Sequence, residues 1–215
     1  MTRLLMVLHR EWTMAFKHQG NVFYFLAFMV VSVSLFPFAF GVESHSLTEL
    51  APGIIWLTTL FAAMMSLPHL LEKDYEDGVL EQMVLQGVHP AFLIFLKILT
   101  HWLLTGVVVV VVTPVFGLLL ALPESMQQSI ALSVLCGSPA ISLVGVGLAS
   151  LMLGVSRASR FLPIIVFPLQ IPLIVLGVAA SKGQIGLVSL VGLDLFLLPL
   201  ALVCGAYALR HALAR

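Results

Sequence analysis

The chain has 215 residues, 60% of them hydrophobic and 9% charged, with ten basic and ten acidic side chains and no net charge. A soluble domain carries roughly 25% charged residues, and one core of this size could not hide so much apolar surface. The composition therefore excludes a water-soluble globular protein and predicts an all-α integral membrane protein, and zero net charge gives no field that would recruit nucleic acid.

Taken in order, residues 3–18 read RLLMVLHREWTMAFKH. Leu4, Leu5, Leu8, Trp12, Ala15 and Phe16 fall on one side of a helix, and Arg3, Arg10, Lys17 and His18 gather toward the other. This pattern predicts a helix over 1–19 lying in the membrane interface, its cations near lipid headgroups; a charged extension of the first span is the plainer alternative. The segment lacks a small-residue cleavage site, so no cleavable signal is expected. A spanning helix needs about 20 apolar residues, and six such runs follow at 21–41, 52–71, 97–122, 128–155, 162–180 and 185–209. The third and fourth are long enough to tilt or to extend beyond the membrane.

With six spans both ends share one side. If that side is the cytoplasm, Arg3, Arg10, Lys17, Lys73, Lys97, Arg157, Arg160, Arg210 and Arg215 all lie there, and only Lys182 lies outside. Such a bias sets the expected orientation, with N- and C-termini cytoplasmic. The outer loops, 42–51, 123–127 and 181–184, are too short for a folded domain.

The fourth span holds GSPAISLVGVGLASLMLG, residues 137–154. Its small residues, Gly145 and Ala149 among them, predict close packing inside the bundle or against a second copy. The fifth, LPIIVFPLQIPLIVLG, carries Pro163, Pro168 and Pro172. Each removes a backbone donor, and the freed carbonyls must be satisfied within the protein. Three interruptions make this span a candidate hinge, with a static kink as the alternative.

Five of the ten carboxylates fall in EKDYEDGVLEQ, residues 72–82, within the longest predicted cytoplasmic loop, 72–96. Glu72, Asp74, Glu76 and Asp77 form a charged lead-in. A short helix is predicted over 78–86, capped by Asp77 or by Gly78 with Glu81 in its third position. Gly87 offers a left-handed stop and Pro90 blocks continuation. Val79, Leu80, Met83 and Val84 make one apolar face; Glu81, Gln82 and Gln86 lie elsewhere. So short a helix is unstable alone in water, so the interface, the chain's own bundle or another protein must cover that face. Fitting into a partner's groove is a recurring use of such a helix; a solvated polar loop is the bland reading.

Other chemistry is missing. There is no GxxxxGK[ST] to cradle a nucleotide, no HExxH and no CxxCH. Cys136 and Cys204 stand in separate apolar runs and form no CxxC pair, so neither a disulfide nor a metal site is expected. No catalytic residues are expected. His69, His101 and Asp194 lie near or inside spans, where ionisable groups are functional candidates; the bland role of His101 and Trp102 is interfacial anchoring.

Several segments resemble the cytochrome c maturation protein B family, the membrane permease subunit of a bacterial haem exporter of the ABC transporter type. These are HREW (His9 to Trp12), FPFAFG (Phe36 to Gly41), LAPGIIW (Leu50 to Trp56), DYEDGVLEQ (Asp74 to Gln82), LKILTHWL (Leu96 to Leu103), GSPAISLVG (Gly137 to Gly145) and PLQIPLIVLG (Pro168 to Gly177). Pro68 and His69 depart from the pattern, and the last span matches only in hydrophobicity. The resemblance implies one permease domain, 1–215, with six spans in the bacterial inner membrane. Its partners would be a second copy of itself, a separate ATP-binding-cassette ATPase, a haem-handling membrane protein and a small membrane subunit. It further implies that Asp74, Tyr75, Glu76, Asp77, Gly78, Val79, Leu80, Glu81 and Gln82 form the ATPase-coupling loop. ATP would be bound on the partner, and haem would be the transported substrate rather than a cofactor of this chain. The complex would deliver haem to a periplasmic chaperone, or release that chaperone. A scaffold that only assembles such a complex, and a proton-coupled transporter, are the alternative functions.

Overall fold

The structure is a computed structural model that describes residues 19–41, 45–155 and 161–214. The predicted interfacial helix lies outside the described residues, apart from Gln19 at the start of the first helix, as do Arg157, Arg160 and Arg215. Every regular element described is helical. The helices are α1 (Gln19–Phe40), α2 (His45–Glu76), α3 (Val79–Leu85), α4 (Pro90–Trp102), α5 (Val108–Leu119), α6 (Glu124–Leu151), α7 (Leu162–Ser181) and α8 (Leu187–Leu213). A π-helical turn, Leu103–Val107, joins α4 to α5 without a break.

Five helical stretches are long and apolar enough to cross a membrane: Ser46–Glu76, Pro90–Leu119, Glu124–Leu151, Leu162–Ser181 and Leu187–Leu213. The apolar part of α1, Phe25–Phe40, is a shorter sixth. The stretch that answers to the third predicted span begins at Pro90 rather than 97, because His89 caps it and Pro90 suits a first helical turn. It ends at Leu119, where Ala121 takes a φ of 50°. α2 runs for 32 residues, about 48 Å at 1.5 Å per residue. That exceeds a hydrocarbon layer of about 30 Å, and the charged residues Lys73, Asp74 and Glu76 all fall in the helix's last four positions.

α6 is the hub. It packs against α2, α4, α5, α7 and α8, and Gly137, Ser138, Ala140, Ser142, Gly145, Gly147, Ala149 and Ser150 are all buried on it. Where apolar side chains gain little from meeting one another, small residues let backbones approach; a Cβ at Gly145 would meet Leu67 of α2 at 2.6 Å. The expected packing of this span inside the bundle is observed. α1, α7 and α8 are peripheral and turn large apolar side chains outward, among them Phe38, Ile164 and Phe196. Cys136 and Cys204 are free thiols.

Pro163 corrects the count of interruptions in α7. It sits in the first turn, where an N–H would have no intrahelical partner. Pro168 and Pro172 lie inside the helix, which runs on through both.

Candidate coupling loop and buried polar contacts

Local backbone chemistry shapes the loop between α2 and α4. Gly78 takes a φ of 70° and donates its N–H to the Tyr75 carbonyl at 3.1 Å, reversing the chain at the end of α2. That left-handed conformation is open to glycine at little cost. Of the two caps the sequence allowed, Gly78 precedes the helix, and no side chain caps it. At the other end Gly87 takes a φ of 88°. Its N–H bonds the Val84 carbonyl at 2.9 Å, and Val88 N–H bonds the Met83 carbonyl at 3.1 Å, the paired closure of a Schellman motif. The helix is Val79–Leu85, one residue shorter at each end than expected.

Its apolar face turns inward. Leu80 and Met83 are buried, and Val79 and Val84 are half-buried against the same core. The chain's own bundle covers the face that the sequence reading offered to a partner's groove. The exposed surface is instead Glu76, Asp77, Glu81, Gln82, Leu85 and Gln86, with Leu85 79% exposed.

Three side-chain contacts fix the loop to the bundle. Asp74 at the end of α2 forms an ion pair with Lys97 of α4, and both side chains are largely buried. The Tyr75 hydroxyl donates to the Ala212 carbonyl near the end of α8 at 3.1 Å. His89 offers one acceptor nitrogen to two donors: Nδ1 lies 3.3 Å from the Ala91 N–H and Nε2 lies 3.1 Å from the Arg210 guanidinium. The acids thus divide by role: Asp74 ties α2 to α4, whereas Glu76, Asp77 and Glu81 face outward.

His101 and Trp102 are helix-joining rather than anchoring residues. His101 is 1% exposed. Its Nε2 lies 3.3 Å from the Ala63 carbonyl of α2, which only accepts, so Nε2 carries the proton. Nδ1 then accepts from the Ser142 hydroxyl of α6 at 2.8 Å. Trp102 donates from Nε1 to Ser138 Oγ of α6 at 3.1 Å. Nearby, Gln170 of α7 is fully buried; its Nε2 donates to the Ile141 carbonyl at 3.0 Å, while Oε1 has no protein partner. Asp194 of α8 has its Oδ1 buried without a partner.

Sequence reasoning missed Trp56. It is fully buried, donates from Nε1 to Ser181 Oγ at 3.0 Å and Ser133 Oγ at 3.3 Å, and joins α2, α6 and α7. Its signal was the occurrence of glycines on both other helices, Gly137 and Gly177, against which the ring lies.

These features define a multi-pass membrane protein with a short helix clamped at one end of its bundle. A family model described as CcmB protein matches residues 2–214. Several proteins named heme exporter protein B are similar along most of their length. The one from Pseudomonas aeruginosa is 36% identical over 210 residues, covering 93% of this chain and 94% of its own. That of Paracoccus denitrificans is 34% identical over 211 residues, covering 95% and 97%. That of Bradyrhizobium diazoefficiens is 34% identical over 221 residues, covering 99% and 100%. The chain belongs to the CcmB protein family.

Proposed function

We propose that the chain is the permease subunit of an ABC-type haem exporter serving c-type cytochrome biogenesis in a bacterial inner membrane. On this reading it is non-catalytic. A separate ATPase docks on the loop, a second copy completes the permease, and a haem-handling membrane protein and a small membrane subunit join them. Haem is delivered to a periplasmic chaperone, or the loaded chaperone is released. Both termini and the loop face the cytoplasm. Lys73, Lys97 and Arg210 gather at the loop end of the bundle and Lys182 at the other, which suits that orientation.

The observation that carries the reading is the clamping of α3. A helix tied by Asp74–Lys97, Tyr75–Ala212 and Arg210–His89 moves together with α2, α4 and α8. Force applied by an ATPase to Glu81, Gln82, Leu85 and Gln86 therefore reaches three long helices. Pro168 and Pro172 of α7, each lacking a backbone donor, are the proposed hinge. The test is a chain carrying Glu81→Lys, Leu85→Ala and Gln86→Ala, purified with its partners. Loss of the ATPase and of cytochrome c maturation, with the bundle intact, is expected. Full retention of both overturns the docking surface.

A proton-coupled transporter is the second reading, favoured by the buried, partnerless Oδ1 of Asp194. It requires that Asp194→Asn abolish maturation while a hydrolysis-dead ATPase does not. The opposite pattern supports the ATP-driven permease.

A further inference from the structure

At the end of the bundle remote from α3 a cavity of about 610 Å³ opens. Thr48 and Glu49 of α2, Ser125 and Ser129 of α6, and Ser181 and Lys182 at the end of α7 line it. Ser181 is only 4% exposed, so it forms the cavity's inner limit. From there the polar groups continue inward. Ser181 shares a hydrogen bond with Ser133, and both accept from the Trp56 indole. One turn further along α2, Thr59 is buried on the same side of the helix. Deeper still are the His101–Ser142 pair and Gln170, whose buried Oε1 finds no protein donor.

Buried polar groups are costly unless partnered. In the row along the contacts of α2 with α6 and α7, Thr59, Ser133 and Ser181 each have a carbonyl three or four residues back on their own helix within hydrogen-bond reach, whereas Gln170 Oε1 has no protein partner. The Trp56 ring interrupts the row. Its seat is made of backbone: a Cβ at Gly177 would come within 2.4 Å of the ring, and one at Gly137 within 2.8 Å. With no side chain beneath it on either helix, removing the ring would leave a slot joining the cavity to the buried polar row.

We propose that Trp56 is a gate, held shut by the Ser133 and Ser181 hydroxyls, which separates the cavity at the far end of the bundle from a polar seam along α2, α6 and α7. Closed, the indole fills the slot over Gly137 and Gly177. Opening requires the Nε1 bonds to break and α7 to withdraw from α2, a motion for which the prolines within α7 are placed. The inference deepens the permease reading, since a gate presupposes a path. Its test needs neither haem nor ATP, so the gate and the ATPase coupling stand or fall separately.

The probe is Thr59→Cys in a full-length chain whose Cys136 and Cys204 are alanine, purified with its accompanying partners in lipid nanodiscs. A bulky, hydrophilic maleimide reports access. Labelling is expected to be slow in this background. It should rise at least tenfold with Trp56→Ala, which empties the slot. It should rise about fivefold with Ser181→Ala, which keeps the ring and loses about one hydrogen bond, and by more with Trp56→Phe, which removes the N–H together with the ring carbons lying over Gly137 and Gly177. Thr113→Cys, at a buried site on α5, should stay slow throughout. Unchanged Thr59→Cys labelling in these variants overturns the gate, as does equal acceleration at Thr113→Cys, which marks general loosening. If Trp56→Ala does not assemble, the Phe and Ser181→Ala variants decide the matter by the same rates.

Discussion

Asp74 and Lys97 face each other between the end of α2 and the first turns of α4, and their ion pair closes the base of the loop that carries α3. Each side chain is largely buried, so removing one partner leaves the other charged in a poor solvent. Lys97→Met and Asp74→Asn should each destabilise the loop by about 3 kcal/mol, as for broken buried pairs. The double variant should be milder than the sum of the two. Thermal unfolding of the purified chain in detergent, with the α3 amides followed by hydrogen exchange, checks this. Additive effects would mean that the pair does not act as a unit.

Tyr75 reaches across to the last turns of α8, donating to the Ala212 carbonyl at 3.1 Å. Tyr75→Phe keeps the ring and removes only the donor, at a cost of about 1 kcal/mol. The expected signature is local: faster amide exchange over Arg210–Leu213, with the exchange of α6 unchanged. The ATPase should still bind, but hydrolysis should be less tightly coupled to maturation, because one of the three ties is lost.

The two faces of α3 should separate by experiment. Leu80 is 1% exposed, and Leu80→Ala should cost about 2–4 kcal/mol through lost burial and a residual cavity. Leu85 is 79% exposed, so Leu85→Ala should leave the melting temperature within about a degree while weakening ATPase retention. Both quantities can be read on the same preparations, by a thermal melt and by co-purification. A destabilised Leu85→Ala variant would place that side chain in a contact that the monomer lacks.

Left-handed glycines set the loop's geometry. Gly78→Ala and Gly87→Ala would each force a Cβ onto a φ near 70–88°, at a cost of about 1 kcal/mol or more. Neither position has neighbouring atoms within 4 Å of such a Cβ, so backbone strain is the whole effect. Asparagine, which tolerates this conformation better, should recover part of it at either site, measured as the shift in the unfolding midpoint.

Hydrophobic length and the Gly, Pro and small-residue signals made much of the architecture legible. The loop helix followed from Gly78, Gly87 and the 3.6-residue spacing of Val79, Leu80, Met83 and Val84, because each is a local constraint. What covered that face could not be read, since burial by the chain's own bundle depends on contacts far apart in sequence. The same limit hid Trp56, whose partners Ser133 and Ser181 lie 77 and 125 residues away. His101 and Trp102 looked like residues at a membrane boundary because a helix starting near 97 would put them there; the start at Pro90 moves them inward, against Ser142 and Ser138.

Trp56 and Gly177 provide the most direct test of how α2 and α7 are keyed together. A methyl group at Gly177 would lie 2.4 Å from the indole carbons, far inside contact distance, and one at Gly137 would lie 2.8 Å from the same ring. Gly177→Ala should therefore destabilise by about 1–3 kcal/mol, the range for overpacking a well-filled site. The ordinary helix preference of alanine over glycine, about 1 kcal/mol in its favour, works against that loss and sets the lower end. Trp56→Leu alone should also destabilise, by opening a void and leaving Ser133 and Ser181 without their donor. Combined, the smaller side chain makes room for the added methyl, so Gly177→Ala with Trp56→Leu should be more stable than the sum of the single effects by about 1 kcal/mol or more. A four-corner cycle of melting temperatures in detergent measures that coupling. A coupling of zero would show that Gly177 does not seat the ring, and would remove the packing basis for Trp56 keying α2 to α7.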